Sequence, residues 1–167
     1  YRRRLAVDDN TLGRVRTVIY LPQGYSDTIP PEAAILAALR KGSCVGTDGP
    51  VVTFSLEQQG KTAQLGEVLG AAGGKEITLR IQAFSTPEFG AVEEVELVTC
   101  FRHARKPVKT IVTKESPVTI QLDGGQGYCR LFVQTKGPDG ELFCCFTNPI
   151  WVRATDGKMG TLVASFE

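Results

Sequence analysis

Ala33-Ala-Ile-Leu-Ala-Ala-Leu-Arg-Lys-Gly-Ser-Cys-Val-Gly-Thr-Asp-Gly-Pro50 is the stretch where the hydrophobic period of this chain changes. Its first half reads as a helix. Ile35, Leu36 and Leu39 form one apolar stripe, and Ala33, Ala34, Ala37 and Ala38 widen it and permit close packing. Glu32 sits near the positive end of the helix dipole, and Arg40 and Lys41 near the negative end. Asp27 or Thr28 can cap the start, and Pro30 and Pro31 suit the first turn, where a missing N–H costs nothing. Gly42 is the natural left-handed stop. A very short strand follows, and Thr47-Asp-Gly-Pro50 turns the chain into a region of different character. A helix with this stripe needs a covering surface, which residues 1–50 supply only in part.

Downstream of Pro50 the period is two. Val51 to Leu56 reads as the first strand, with Leu65 to Val68 a short edge strand. Ile77, Leu79, Ile81 and Ala83 alternate with polar residues, as a half-buried strand requires. Further strands are expected at Val95–Thr99, Val108–Thr113 and Val118–Leu122. Cys129, Leu131 and Val133 share one face of the next, and Lys136-Gly-Pro-Asp-Gly140 joins it as a hairpin to Leu142–Phe146. Ile150-Trp-Val152 resumes that run, with Trp151 expected in the core. Seven to eight strands at this spacing predict a mostly β fold, a β-sandwich of immunoglobulin-like topology. A short α/β segment precedes it: strands at Leu5–Val7 and Val15–Leu21, then the helix. The expected division is 1–50, 51–154 for the sandwich, and a tail at 155–167.

Composition excludes several classes of function. Nineteen Lys and Arg balance eighteen Asp and Glu across 167 residues, so no global field draws in nucleic acid or an anionic membrane. No apolar run reaches the roughly 18 residues of a membrane span. Five cysteines without regular spacing argue for reduced, mostly buried thiols rather than a disulfide framework. Cys144 and Cys145 are adjacent and therefore point to opposite faces of a strand. His103 is the only histidine, which argues against a zinc site within this chain. The basic run around His103 reads as a solvated loop, and Asp123-Gly-Gly-Gln-Gly127 as a turn without the Lys-Ser/Thr of a phosphate loop. Position 1 is Tyr rather than Met, and the expectation is a processed product or an excised piece of a cytoplasmic protein.

Arg14-Val-Arg-Thr-Val-Ile-Tyr20, the Ile35-to-Gly42 helix, Thr47-Asp-Gly-Pro50 and the later Phe146-Thr-Asn-Pro-Ile-Trp-Val152 occur in an order that resembles the C-terminal part of PHP-domain metal-dependent hydrolases. The resemblance is to the branch in which a PHP barrel is followed by a β-sandwich, and it covers about Leu5 to Val152. It implies that residues 1–50 are the last elements of the barrel and that the barrel's earlier strands, with their His-x-His ligands, are the missing partner. The family carries an Asp-x-His or Asp-Asn-His near the end of the barrel. Here Ala6-Val-Asp-Asp-Asn-Thr-Leu-Gly13 occupies that place, so Asp8 and Asp9 are the candidate metal residues and Asn10 stands where histidine is expected. A neutral amide oxygen is a poorer ligand than imidazole for zinc-like metals. Without the resemblance, Asp8-Asp9-Asn10 reads as a strand end entering a turn.

Arg14 and Arg16, two residues apart on one strand face, are candidates for binding an anionic substrate group, because guanidinium pairs bidentately with phosphate or carboxylate. The bland alternative is ion pairing within the fold. The chain is thus expected to be a non-catalytic C-terminal sandwich module of a phosphoesterase-like parent, which packs on the barrel, closes the substrate cleft or mediates homo-oligomerisation. The resemblance implies divalent metals, zinc, manganese or iron, for the parent and none for this chain. The alternative expectation is an independent immunoglobulin-like module that binds carbohydrate or protein. It would present a line of exposed aromatics or one large apolar patch.

Overall fold

Beyond Pro50 the period-two pattern becomes strands whose alternate side chains share a core. A computed structural model describes residues 14–21, 29–72, 76–101, 107–113, 117–121 and 126–155. The expected strand at Leu5–Val7 and the tail after residue 155 lie outside the described residues. So do Asp8, Asp9, Asn10 and His103. β1 (Arg16–Ile19) and β2 (Cys44–Thr47) flank the helix α1 (Glu32–Lys41). There follow β3 (Val51–Gln58), β4 (Lys61–Ala63), β5 (Val68–Ala71), β6 (Glu76–Phe84), β7 (Glu94–Phe101), β8 (Val108–Thr113) and β9 (Val118–Gln121). β10 (Gly127–Lys136), β11 (Leu142–Thr147) and β12 (Ile150–Ala154) complete the described strands.

Two largely antiparallel sheets result. The smaller has the order β4-β3-β6-β9. In the larger, β10 carries β7 and then β8 on one edge, and β11 and β12 in succession on the other. Beyond those lie β2 and β1 next to β11, and β5 parallel to β12. The two strands on the N-terminal side of residue 50 therefore extend the same sheet as the final hairpin.

Asn148-Pro149 separates β11 from β12 for a geometrical reason. Phe132 pairs with Phe146 and Cys129 with Ile150, so two residues of β10 face three of the opposite strand. The extra residue is a β-bulge, and Pro149 has no N–H to give a ladder. The bulge also divides the outer edge, which takes β2 antiparallel above it and β5 parallel below it.

The core lies between the sheets. Leu56, Leu79, Leu131 and Ile150 are fully buried, each contributing about 1.5–3 kcal/mol relative to exposure. Gln58 also points inward. Its amide is satisfied by the Ala72 N–H at 2.7 Å and by the carbonyls of Ala72 and Glu76, each at 3.3 Å. This pins the β5–β6 connection to β3 and avoids the cost of an unpaired buried amide.

Two expectations are corrected here. First, α1 starts without a side-chain cap: extended Pro31 occupies the cap position, and its carbonyl accepts from Ala34 and Ile35. Second, Trp151 is not in the core. Ile150 and Val152 take the inward positions of β12, leaving Trp151 on the outer face, 46% exposed. The apolar stripe of α1 is covered only in part: Ala38 is buried and Ile35 is half-buried, while Leu36 and Leu39 remain 39% and 41% exposed.

The end of α1 follows the expected form. Gly42 is left-handed at φ 81°, with its N–H bonded to Leu39 and that of Ser43 to Ala38. The helix end seats on Gly66, whose own N–H bonds to Pro149. A Cβ at Gly66 would fall 1.9 Å from the Lys41 carbonyl oxygen.

Candidate functional site

Three surface features are built from these elements. The first is a corner around Thr47-Asp-Gly-Pro50. The Thr47 hydroxyl donates to the Pro50 carbonyl and accepts from the Gly49 N–H, so the turn is held by its own side chain. Asp48 accepts from the Cys144 N–H at 2.6 Å. Arg14 reaches this corner: it lies 2.7 Å from Glu141, 3.9 Å from Asp48, and 5.5 Å above the Phe143 ring. Its guanidinium is thus engaged in a tertiary contact that ties the N-terminal strand to the β10–β11 hairpin. Arg16 is exposed and pairs by register with Thr47. The structure places Arg14 next to two carboxylates, those of Asp48 and Glu141.

The second feature is a pair of adjoining clefts around Tyr20. One, of about 380 Å³, lies against the alanine side of α1 and is lined by Ala34, Ala37, Lys41, Ser43 and Gln64. The other, of about 350 Å³, runs over the outer face of β3 and β6 past Thr53, Ser55, Arg80, Gln82 and Phe84. Tyr20 and Gln64 border both. Burial, with a smaller push from Cys145, raises the Tyr20 phenol to about 12, so it is neutral at physiological pH and acts only as a hydrogen-bonding group. Lys41 is held 2.6 Å from Glu67, and Arg80 3.2 Å from Glu57. The lining offers hydrogen bonds and no histidine, so it suits binding more than proton transfer. Among the described residues no three metal-ligating side chains cluster.

The third feature is the outward face of the larger sheet. Phe132 and Phe146 are direct cross-strand partners. Tyr128 and Trp151 are partners further down, their rings edge-to-face at 5.8 Å. Ile111, Phe146 and Trp151 retain 59%, 51% and 46% of their surface. Sequence reasoning missed this face because it assigned Trp151 to the core. The signal was the alternation itself: positions 128, 130, 132 and 134 oppose inward-facing Cys129, Leu131 and Val133, so Tyr128 and Phe132 must point out.

The five cysteines are free thiols. Burial pushes Cys129 up to about 12, and burial chiefly raises Cys145 to about 11, so neither is a nucleophile. No helix among the described residues is long and apolar enough to cross a membrane. Comparison with protein-family models, with curated proteins and with solved structures finds no match.

Proposed function

We propose that this chain is a non-catalytic β-sandwich module that works by contact, and that α1 and β1 dock on the barrel of a PHP-type metal-dependent hydrolase. The observation that carries this reading is the orientation of α1. Ala38 is the one buried residue of α1, Leu36 and Leu39 stay exposed, and on the same segment Val15 and Ile29 are 72% and 95% exposed. A helix that turns its larger apolar side chains outward has a second surface to cover. The order of the sequence motifs supplies the identity of that surface. An immunoglobulin-like topology is supported by the connectivity: β3, β6 and β9 in one sheet, β8, β7, β10 and β11 in the other, and β5 parallel to β12. Metal chemistry would belong to the barrel, through residues that include the Asp8-Asp9 region.

The test has two parts. Assayed alone on a phosphoester panel with zinc, manganese or iron, the chain is expected to show no turnover; metal-dependent turnover refutes the non-catalytic reading. A barrel with His-x-His ligands, encoded in the reading frame upstream of Tyr1 and expressed as a separate polypeptide, is expected to copurify with this chain. Leu36→Glu with Leu39→Glu should abolish copurification. An upstream frame without such a barrel, or copurification indifferent to those substitutions, overturns the docking reading.

A second reading, an independent binding module, is favoured by the exposed aromatics on the larger sheet.

A further inference from the structure

We propose that the two clefts around Tyr20 form one binding site for a neutral oligosaccharide. They share Tyr20, Leu21, Ser43 and Gln64 as a common border. The floor on one side of Tyr20 is the outward face of β3 and β6, where Thr53 pairs with Gln82, Ser55 with Arg80 and Val51 with Phe84. From Arg80 to Phe84 is four residues of strand, about 13 Å, and the cleft along α1 continues on the other side of Tyr20. The site is therefore longer than a single sugar ring and suits a chain of them.

The lining selects its ligand first by charge. Each cation of the two clefts has its own carboxylate: Lys41 lies 2.6 Å from Glu67, and Arg80 3.2 Å from Glu57. An anionic ligand would meet those glutamates, and a cationic one the lysine and the arginine, so an uncharged ligand fits best. The remaining polar groups are neutral. The side chains of Ser55, Gln64 and Gln82 line the clefts and have no hydrogen-bond partner among the described residues. A carboxamide presents donors and acceptors in one plane, and each hydroxyl of a sugar both donates and accepts.

Other uncharged ligands fit less well. An apolar one would strip water from these amides and hydroxyls without replacing its hydrogen bonds. An extended peptide is held through unpaired backbone groups at a sheet edge. This floor has no such edge, because β3 lies between β4 and β6, and β6 between β3 and β9. Phe84 supplies the apolar part of the site. It is 62% exposed at the end of the floor, where its ring gives a plane for the C–H face of a sugar. This reading goes beyond the docking role of α1 and does not rest on it.

Isothermal titration calorimetry of the whole chain tests this. The probes are neutral hexasaccharides of β-linked and α-linked glucose, xylose, mannose, galactose and N-acetylglucosamine, with oligogalacturonate and heparin fragments as anionic counterparts. At least one neutral chain is expected to bind, and its monosaccharide at least about tenfold more weakly. Gln82→Ala, Phe84→Ala and Gln64→Ala, all at exposed positions, should each weaken binding by about tenfold, the loss of one hydrogen bond or one ring contact. Circular dichroism confirms the fold of each, and any one folded variant keeps the test decisive. No binding of any neutral chain up to millimolar concentration overturns the proposal, and so does binding confined to the anionic fragments. Affinity that is unchanged in the folded variants also overturns it. Affinity lost in Trp151→Ala but kept in Gln82→Ala and Phe84→Ala places the sugar on the larger sheet and overturns it as well. None of these measurements involves Leu36 or Leu39, so failure here leaves the docking role of α1 untouched.

Discussion

Gly66 and Gly60 share a backbone conformation, φ 78° and 75°, but not a surrounding. A Cβ on Gly60 meets nothing within 4 Å, whereas one on Gly66 falls 1.9 Å from the Lys41 carbonyl oxygen. Alanine at either position pays left-handed strain of about 1–2 kcal/mol. Either also stiffens the unfolded chain, which offsets about 0.5 kcal/mol. Those two effects cancel in the comparison. What remains at Gly66 is the displacement of the last turn of α1, backbone against backbone, at about 1–3 kcal/mol by analogy with overpacked cores. Gly66→Ala should therefore be less stable than Gly60→Ala by about 2 kcal/mol, or roughly 4–8 °C in Tm for a chain of this size. Total stability is of order 5–15 kcal/mol, so the difference is readily measured. The assay is urea and thermal unfolding followed by circular dichroism and by the fluorescence of Trp151. Equal midpoints for the two variants would refute the seating of α1 on the β4–β5 turn, and with it the surface geometry on which the docking proposal depends.

Leu79→Ala empties a fully buried site facing β3 and should cost about 2–5 kcal/mol; a loss below about 1 kcal/mol in urea unfolding would contradict the placement of the core. Burial pushes the Glu67 carboxyl up, but the hydrogen bonds from Lys41 and the Gln64 N–H, with the Lys41 charge, outweigh it and hold Glu67 below its ordinary 4.5. A lowered folded value makes its contribution complete above the unfolded value and lost as pH falls through the folded one. Glu67→Gln should thus lower stability slightly at neutral pH, by under about 1 kcal/mol for so exposed a pair, with the difference vanishing in acid. A difference that grows as the pH is lowered through the acid range sinks that assignment. Under native labelling with a maleimide, Cys44, Cys100 and Cys144, which are partly exposed, should react well before buried Cys129 and Cys145. Mass-spectrometric mapping that finds all five modified at one rate would be incompatible with this core.

Local patterns made most of the strands legible. Alternation at Ile77, Leu79 and Ile81 places β6, and alternation at Cys129, Leu131 and Val133 places β10. Adjacent side chains in a strand point to opposite faces whatever the strand pairs with. The turn chemistry was equally local: Gly42 stops α1 because a left-handed residue lets the last N–H groups fold back. Of the candidate site residues, Arg14 can be followed into a tertiary contact, while Asp8 and Asp9 fall outside the described residues.

Tertiary structure alone decided what depends on partners far along the chain. That β2 sits beside β11, a separation of about a hundred residues, is a matter of which edge is free, and no local period encodes it. How far the apolar stripe of α1 is covered is decided in the same way: Ile35 is half-buried while Leu36 and Leu39 stay exposed, and no local period encodes that difference. Trp151 lies outward because the bulge at Asn148-Pro149 sets which residues of β12 face in, a choice of one residue in register that reverses every side chain beyond it. The stretch from Ala33 to Pro50 therefore fixed its own helix, stop and turn, while the sheet that received them determined which of its faces is buried and which is left for another surface.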